Sequence, residues 1–89
     1  MTATVELEIK NRKGLHARAA AAFVKVAETF DAVIEVERLG QKVSGCSIMG
    51  LMMLAAAKGT TVKVSAEGAQ AEQAVQAIAK LVNDKFGED

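Results

Sequence analysis

The segment Gly14-Leu15-His16-Ala17-Arg18-Ala19-Ala20 puts the only histidine of the chain where a glycine turn runs into a helix-forming stretch. The first amides of a helix lack partners inside it and stand at the positive end of its dipole. An exposed anion is favoured there by about 0.3 to 1 kcal/mol, and an imidazolium is disfavoured. A neutral ring keeps one nitrogen unprotonated and nucleophilic at about pH 7. A phosphoryl group carried on that nitrogen would meet the backbone amides of Ala17 and Arg18, and the Arg18 guanidinium would add charged donors to its oxygens. Taken by itself, the same spacing also describes a plain helix cap followed by a solvated arginine.

A second group of residues with possible chemistry starts at Ser47. It stands just before Ile48, Leu51, Met52 and Ala55, which are helically spaced, and so has the position of an N-cap hydroxyl, a role worth roughly 1 kcal/mol. Ile48, Leu51, Met52 and Met53 make an apolar cluster on a short helix, most of which is expected in the core. Met49 and Met53 fall partly off the buried stripe. An adaptable methionine surface made of Met49, Leu51, Met52 and Met53 would suit docking to several partners.

The elements that must position these residues follow from periodicity. Val5, Leu7 and Ile9 alternate with polar neighbours as a strand, and Asn11-Arg12-Lys13-Gly14 breaks the pattern as a turn. Ala20, Phe23, Val24, Ala27 and Phe30 share one face of a helix running from about His16 to Thr29. Val33 to Glu37 and Gln41 to Val43 read as a hairpin around Leu39-Gly40. The helix after Ser47 is expected to end at Lys58-Gly59. Val62, Val64 and Ala66 give a fourth strand, and Ala71, Ala74, Val75, Ile78, Leu81 and Val82 a third helix. The order βαββαβα is that of an α+β split-βαβ domain with an extra C-terminal helix. Because the strands alternate, one sheet face should be dry, with all three helices on it.

Composition narrows the function classes. The chain has 89 residues, 51% of them hydrophobic and 25% charged, which fits a single domain over residues 1–89 with a core of its own and argues against disorder. One Cys and one His allow neither an internal disulfide nor a Cys/His metal cage, and Cys46 carries no further signal. Eleven basic and eleven acidic side chains cancel, and the 3% of aromatic residues are all Phe, which argues against nucleic acid as a partner. No apolar run reaches the roughly 18 residues of a membrane span, and Met1-Thr2-Ala3-Thr4 does not open a signal peptide. A cytoplasmic location is expected.

The segment around His16, together with Ser47-Ile48-Met49-Gly50-Leu51-Met52-Met53-Leu54 and Ala57-Lys58-Gly59, resembles the HPr family, the histidine-containing phosphocarriers of the bacterial phosphotransferase system. The likeness extends over nearly the whole chain. It implies an open-faced β-sandwich of four antiparallel strands covered by three helices, in agreement with the element order above. It also implies that Nδ1 of His16 accepts phosphate from Enzyme I, drawing on phosphoenolpyruvate, and passes it to a IIA-type protein, with Arg18 as the phosphate neighbour. On the same resemblance Ser47 is the regulatory serine modified by HPr kinase/phosphorylase, and the chain is a monomeric substrate of phosphotransferases that needs no cofactor and performs no catalysis of its own. The family's usual motif has Pro where this chain has Ala19, so the expected site is somewhat looser, with one more amide donor. That change, the Ala-rich helix and the Leu51 to Gly59 stretch resemble the nitrogen-related branch. There the alternative function is a regulatory interaction protein whose phosphorylation state controls binding to target enzymes, with little sugar-transport flux.

Overall fold

Alternation of apolar and polar residues builds every strand, and the pairing shows which way each set of side chains faces. In the computed structural model, which describes residues 1–88, β1 (Thr2–Glu8), β2 (Val33–Arg38), β3 (Gln41–Ser44) and β4 (Thr61–Glu67) form one antiparallel sheet in the order β1-β4-β2-β3. Leu7, Ile34, Val36, Val62, Val64 and Ala66 are buried on one face, while their neighbours along each strand are more exposed on the other. Across the open face Glu6 stands opposite Lys63, Lys63 opposite Glu37, and Glu37 opposite Lys42. Alternating charge along that row favours this register over a one-residue slip.

The buried face is covered by α1 (Ala17–Ala27), α2 (Ile48–Met53) and α3 (Ala71–Asn83). Helix α1 buries Ala19, Ala20, Phe23, Val24 and Ala27, and α3 buries Ala71, Ala74, Val75, Ile78 and Val82, most of each expected stripe; Phe30 lies beyond α1, and it and Leu81 are only half-buried. The expected open sheet of four antiparallel strands with three helices on one face is therefore present, in the order βαββαβα. A short 3-10 turn, Lys85–Gly87, follows α3. No helix among the described residues is long and apolar enough to cross a membrane.

Three elements depart most from the bounds read in the sequence. The first strand begins at Thr2, because a long antiparallel ladder with β4 holds its exposed start, and Ile9 lies beyond the strand yet is buried and bonded on both sides to Gly59 and Thr60. Helix α1 begins one residue after His16 and ends at Ala27 rather than Thr29, whose hydroxyl turns back to donate to the Val26 carbonyl at 2.7 Å. Helix α2 stops at Met53, well before Lys58-Gly59. Leu54 caps it, and Ala55 takes φ 53°, a left-handed conformation that costs a residue with a Cβ about 1–2 kcal/mol. Arg38 at the end of β2 pins this point by donating from Nη1 to the Leu54 carbonyl at 3.0 Å.

The early end of α2 changes which residues it buries. Of Ile48, Leu51, Met52 and Met53, only Leu51 is buried; the core contacts expected of the others are made by Leu54 and Ala56 just beyond the helix. Ser47 is the N-cap as expected, its Oγ accepting from the Gly50 amide at 2.9 Å. Ser47→Ala should therefore lower stability by about 1 kcal/mol in a denaturant titration and leave the fold intact.

Candidate functional site

The turn that delivers His16 is closed from both sides. The Asn11 carbonyl accepts from the Gly14 amide at 3.1 Å, and Asn11 Nδ2 donates back to the Gly14 carbonyl at 2.7 Å. Gly14 has φ +69° and lies directly against the segment after α2, where the Leu15 amide donates to the Ala56 carbonyl at 2.9 Å. Buried Leu15 then anchors the chain, and His16 follows in extended conformation, with φ −77° and ψ −178°, as the N-cap of α1.

His16 occupies the cap position without using its side chain as a cap, so the ring is free for other work. Its Nε2 lies 2.7 Å from Glu88 Oε2. The other oxygen of that carboxylate, Oε1, accepts from Asn11 Nδ2 at 2.9 Å. The 3-10 turn after α3 thus brings a carboxylate across the fold to the start of α1. The Glu88 carboxyl is held below its ordinary value, first by the Asn11 amide and then by the hydrogen bond and charge of His16 and the charge of Arg18, against the opposing effect of burial.

Because the folded-state value is lowered, ionised Glu88 favours the folded arrangement above the ordinary value of 4.5, and that contribution fades as pH falls through the lower folded value. An NMR titration of the Glu88 carboxyl should give a midpoint below 4.5, and Asn11→Ala should return it toward 4.5.

Two hollows flank this constellation. One, of about 230 Å³, is lined by Lys13, Leu15, His16 and Ala55 to Ala57. The other, of about 210 Å³, is lined by Arg12, Lys13, Arg18 and Glu88. Among the described residues Arg12, Lys13 and Arg18 share this hollow with one carboxylate, so its described lining is net positive beside the open helix end and suits a dianionic phosphoryl group. Arg18 sits in the first turn of α1 as expected, with the amides of Ala17 and Arg18 at the same end.

The methionine surface is real but differently composed. Met49 and Met53 are 74% and 66% exposed, and Ile48 and Met52 are also exposed, whereas Leu51 is wholly buried against the core. Leu51 therefore cannot contact a partner, since the apolar stripe of a two-turn helix has room for one deep anchor, and Leu51 is it. Cys46 is an exposed loop thiol. Sequence reasoning missed Asn11, Glu88 and the two cations Arg12 and Lys13. Asn11 to Lys13 had only the signature of a turn, and Glu88 is distant in sequence.

The imidazole of His16 is thus spared from capping, with Lys13 lining its own hollow and Arg12 and Arg18 lining the hollow on the other side of Glu88. The family described as PTS HPr component phosphorylation site matches residues 3–84. The chain belongs to the HPr family. Phosphocarrier protein HPr of Neisseria meningitidis serogroup A is 46% identical over 82 residues, 92% of each chain, and that of Pseudomonas aeruginosa is 46% identical over 85 residues, 94% of each. Among solved structures, HPr-C-His from Thermoanaerobacter tengcongensis is 48% identical with a TM-score of 0.94 over 98% of both chains. HPr from Bacillus anthracis is 38% identical with a TM-score of 0.87, covering 91% of this chain and 96% of that one. At these levels the HPr fold and its phosphocarrier role in the phosphotransferase system extend to this chain.

Proposed function

We propose that His16 is the phosphoryl acceptor, taking the group from Enzyme I and passing it to a IIA-type protein. What carries this reading is the N-cap imidazole whose Nε2 is engaged by Glu88, while Arg12, Lys13 and Arg18 line the hollow beside that carboxylate. The Nδ1 lone pair attacks the phosphorus as the bond to the donor breaks, and the electron pair of that bond leaves with the donor. The helix amides of Ala17 and Arg18 and the Arg18 guanidinium then hold the phosphoryl oxygens. The protein contributes position and charge and is itself a substrate of its partners.

Ile48, Met49, Met52 and Met53, exposed on α2, supply the apolar part of the docking surface, and the cations beside His16 supply the charged part. Small mixed surfaces of this kind release quickly, which a carrier that must leave one partner for the next requires. The carrier works as a monomer in the cytoplasm, since pairing through α2 would cover this surface.

Ser47 is a regulatory phosphorylation site for HPr kinase/phosphorylase. It is half-buried at the start of α2, next to the exposed methionines, so a phosphate there would place negative charge inside the docking surface. The test of the carrier reading is a relay. Label from phosphoenolpyruvate should appear on this chain only when Enzyme I is present, and should move on when a IIA-type acceptor is added. Label that stays on Enzyme I would overturn it.

A further inference from the structure

We propose that Asn11 and Glu88 are positioning residues that keep the proton of His16 on Nε2 and so make Nδ1 the atom that receives the phosphoryl group. This rests on the carrier reading above and adds the device that chooses between the two ring nitrogens.

The assignment follows from which atoms can donate. An ionised carboxylate only accepts, so the 2.7 Å contact between Glu88 Oε2 and His16 Nε2 requires the hydrogen on Nε2. In a neutral imidazole the other nitrogen then carries the lone pair. Glu88 is held in turn by Asn11, whose Nδ2 donates to Glu88 Oε1 at 2.9 Å and to the Gly14 carbonyl at 2.7 Å. Both partners are acceptors, so the amide has one possible orientation. Its cost is visible: Asn11 is 0% exposed, and its Oδ1 has no hydrogen-bond partner among the described residues. A buried amide with an orphaned oxygen destabilises a fold, and such a group calls for an explanation outside stability.

The backbone that brings Glu88 here is strained in the same sense. Lys85, Phe86 and Gly87 have φ of 57°, 55° and 77°, and two of these three left-handed residues carry a Cβ. Strained backbone concentrates where the surroundings hold a functional group in place, and here it ends on a carboxylate in contact with the nucleophile.

The chemistry uses the arrangement twice. No proton has to leave Nδ1 when its lone pair forms the N–P bond and the donor's bond to phosphorus breaks. The ring then holds both the phosphoryl group and the Nε2 hydrogen, and the positive charge it gains lies opposite the Glu88 carboxylate. With the hydrogen on Nδ1 instead, the same attack is blocked.

The test turns on an isostere that should be worse than a deletion. In Glu88→Gln the introduced side chain has one acceptor and one donor. Asn11, fixed by Gly14, claims the acceptor, so the NH2 faces His16 and draws the ring proton to Nδ1. Glu88→Ala imposes no tautomer. Glu88 is partly exposed at the end of the described chain, so neither change threatens folding. Nitrogen-15 NMR above the imidazole titration should show a protonated Nε2 in the wild type and a shift toward protonated Nδ1 in Glu88→Gln. Phosphorylation by Enzyme I and phosphoenolpyruvate should slow about tenfold or more in Glu88→Gln and less in Glu88→Ala. Adding Asn11→Ala to Glu88→Gln frees the amide to turn, and the rate should recover toward that of Glu88→Ala. A wild-type tautomer in Glu88→Gln, or equal slowing in the Gln and Ala variants, would overturn the proposal. A wild type that takes no label would fail the carrier reading instead, while the tautomer spectra, which need no enzyme, still decide this one.

Discussion

His16→Ala takes up no phosphoryl group from Enzyme I and phosphoenolpyruvate, and it melts close to the wild type. The two halves of this result have separate causes. His16 is the only histidine in the chain, so no second imidazole can accept the group. The side chain makes no capping bond and is partly exposed, and its one partner among the described residues, Glu88, remains bonded to Asn11 when the ring is removed. Losses at partly exposed positions of this kind stay within about 1 kcal/mol. A label that persists in His16→Ala would place the acceptor elsewhere, and a collapsed melting curve would show that the ring has a structural duty the geometry does not reveal.

Gly14→Ala should have the largest effect on stability of any single change at the site. A Cβ there would lie 2.5 Å from the Ala56 carbonyl oxygen and 2.9 Å from Ala57 Cα, and φ at this position is +69°. Both obstacles are backbone, so no side-chain rotation relieves them. The left-handed conformation costs about 1–2 kcal/mol and overpacking about 1–3, together about 2–5 kcal/mol. For a domain of this size that is a fall in Tm of roughly 10–30 °C. Opening the contact also weakens the 2.9 Å bond from the Leu15 amide to Ala56, which sets the distance of His16 from the segment after α2. Phosphoryl uptake should therefore fall even at temperatures where the variant is folded. Thermal melting and uptake rate check the two parts, and a Tm within a few degrees of wild type would contradict the packing argument.

Much of this architecture is legible in the sequence because it is local. Strand alternation gives a sheet with one dry face, and the stripe from Ala71 to Val82 gives α3, since each pattern lies within a dozen or so residues. His16 stands out by residue type and by its place between Gly14 and a run of alanines. The strand order is of another kind: β4 inserts between β1 and β2, and no local period encodes that choice.

Helix α2 was misleading for a definite reason. Met49 and Met53 are exposed as their place off the buried stripe predicts, but Ile48 and Met52, which share that stripe with Leu51, also face outward, and only Leu51 is buried. Its end was equally hidden, because Ala55 rather than a glycine takes the left-handed turn. The part of the site least visible in sequence is the chain from Asn11 to Glu88 to His16. Asn11 looks like one more turn residue, and Glu88 meets it only because α3 and the 3-10 turn return the chain to the start of α1. Arg12 and Lys13 likewise become part of a cationic rim only once the turn is folded.

Whether the imidazole of His16 carries the phosphoryl group is decided by mass spectrometry of the chain after incubation with Enzyme I and phosphoenolpyruvate, quenched and digested under alkaline conditions. One phosphoryl group is expected on the peptide containing His16, lost on brief exposure to acid. A phosphoryl group on any other peptide, or one that survives acid, would contradict the assignment to His16.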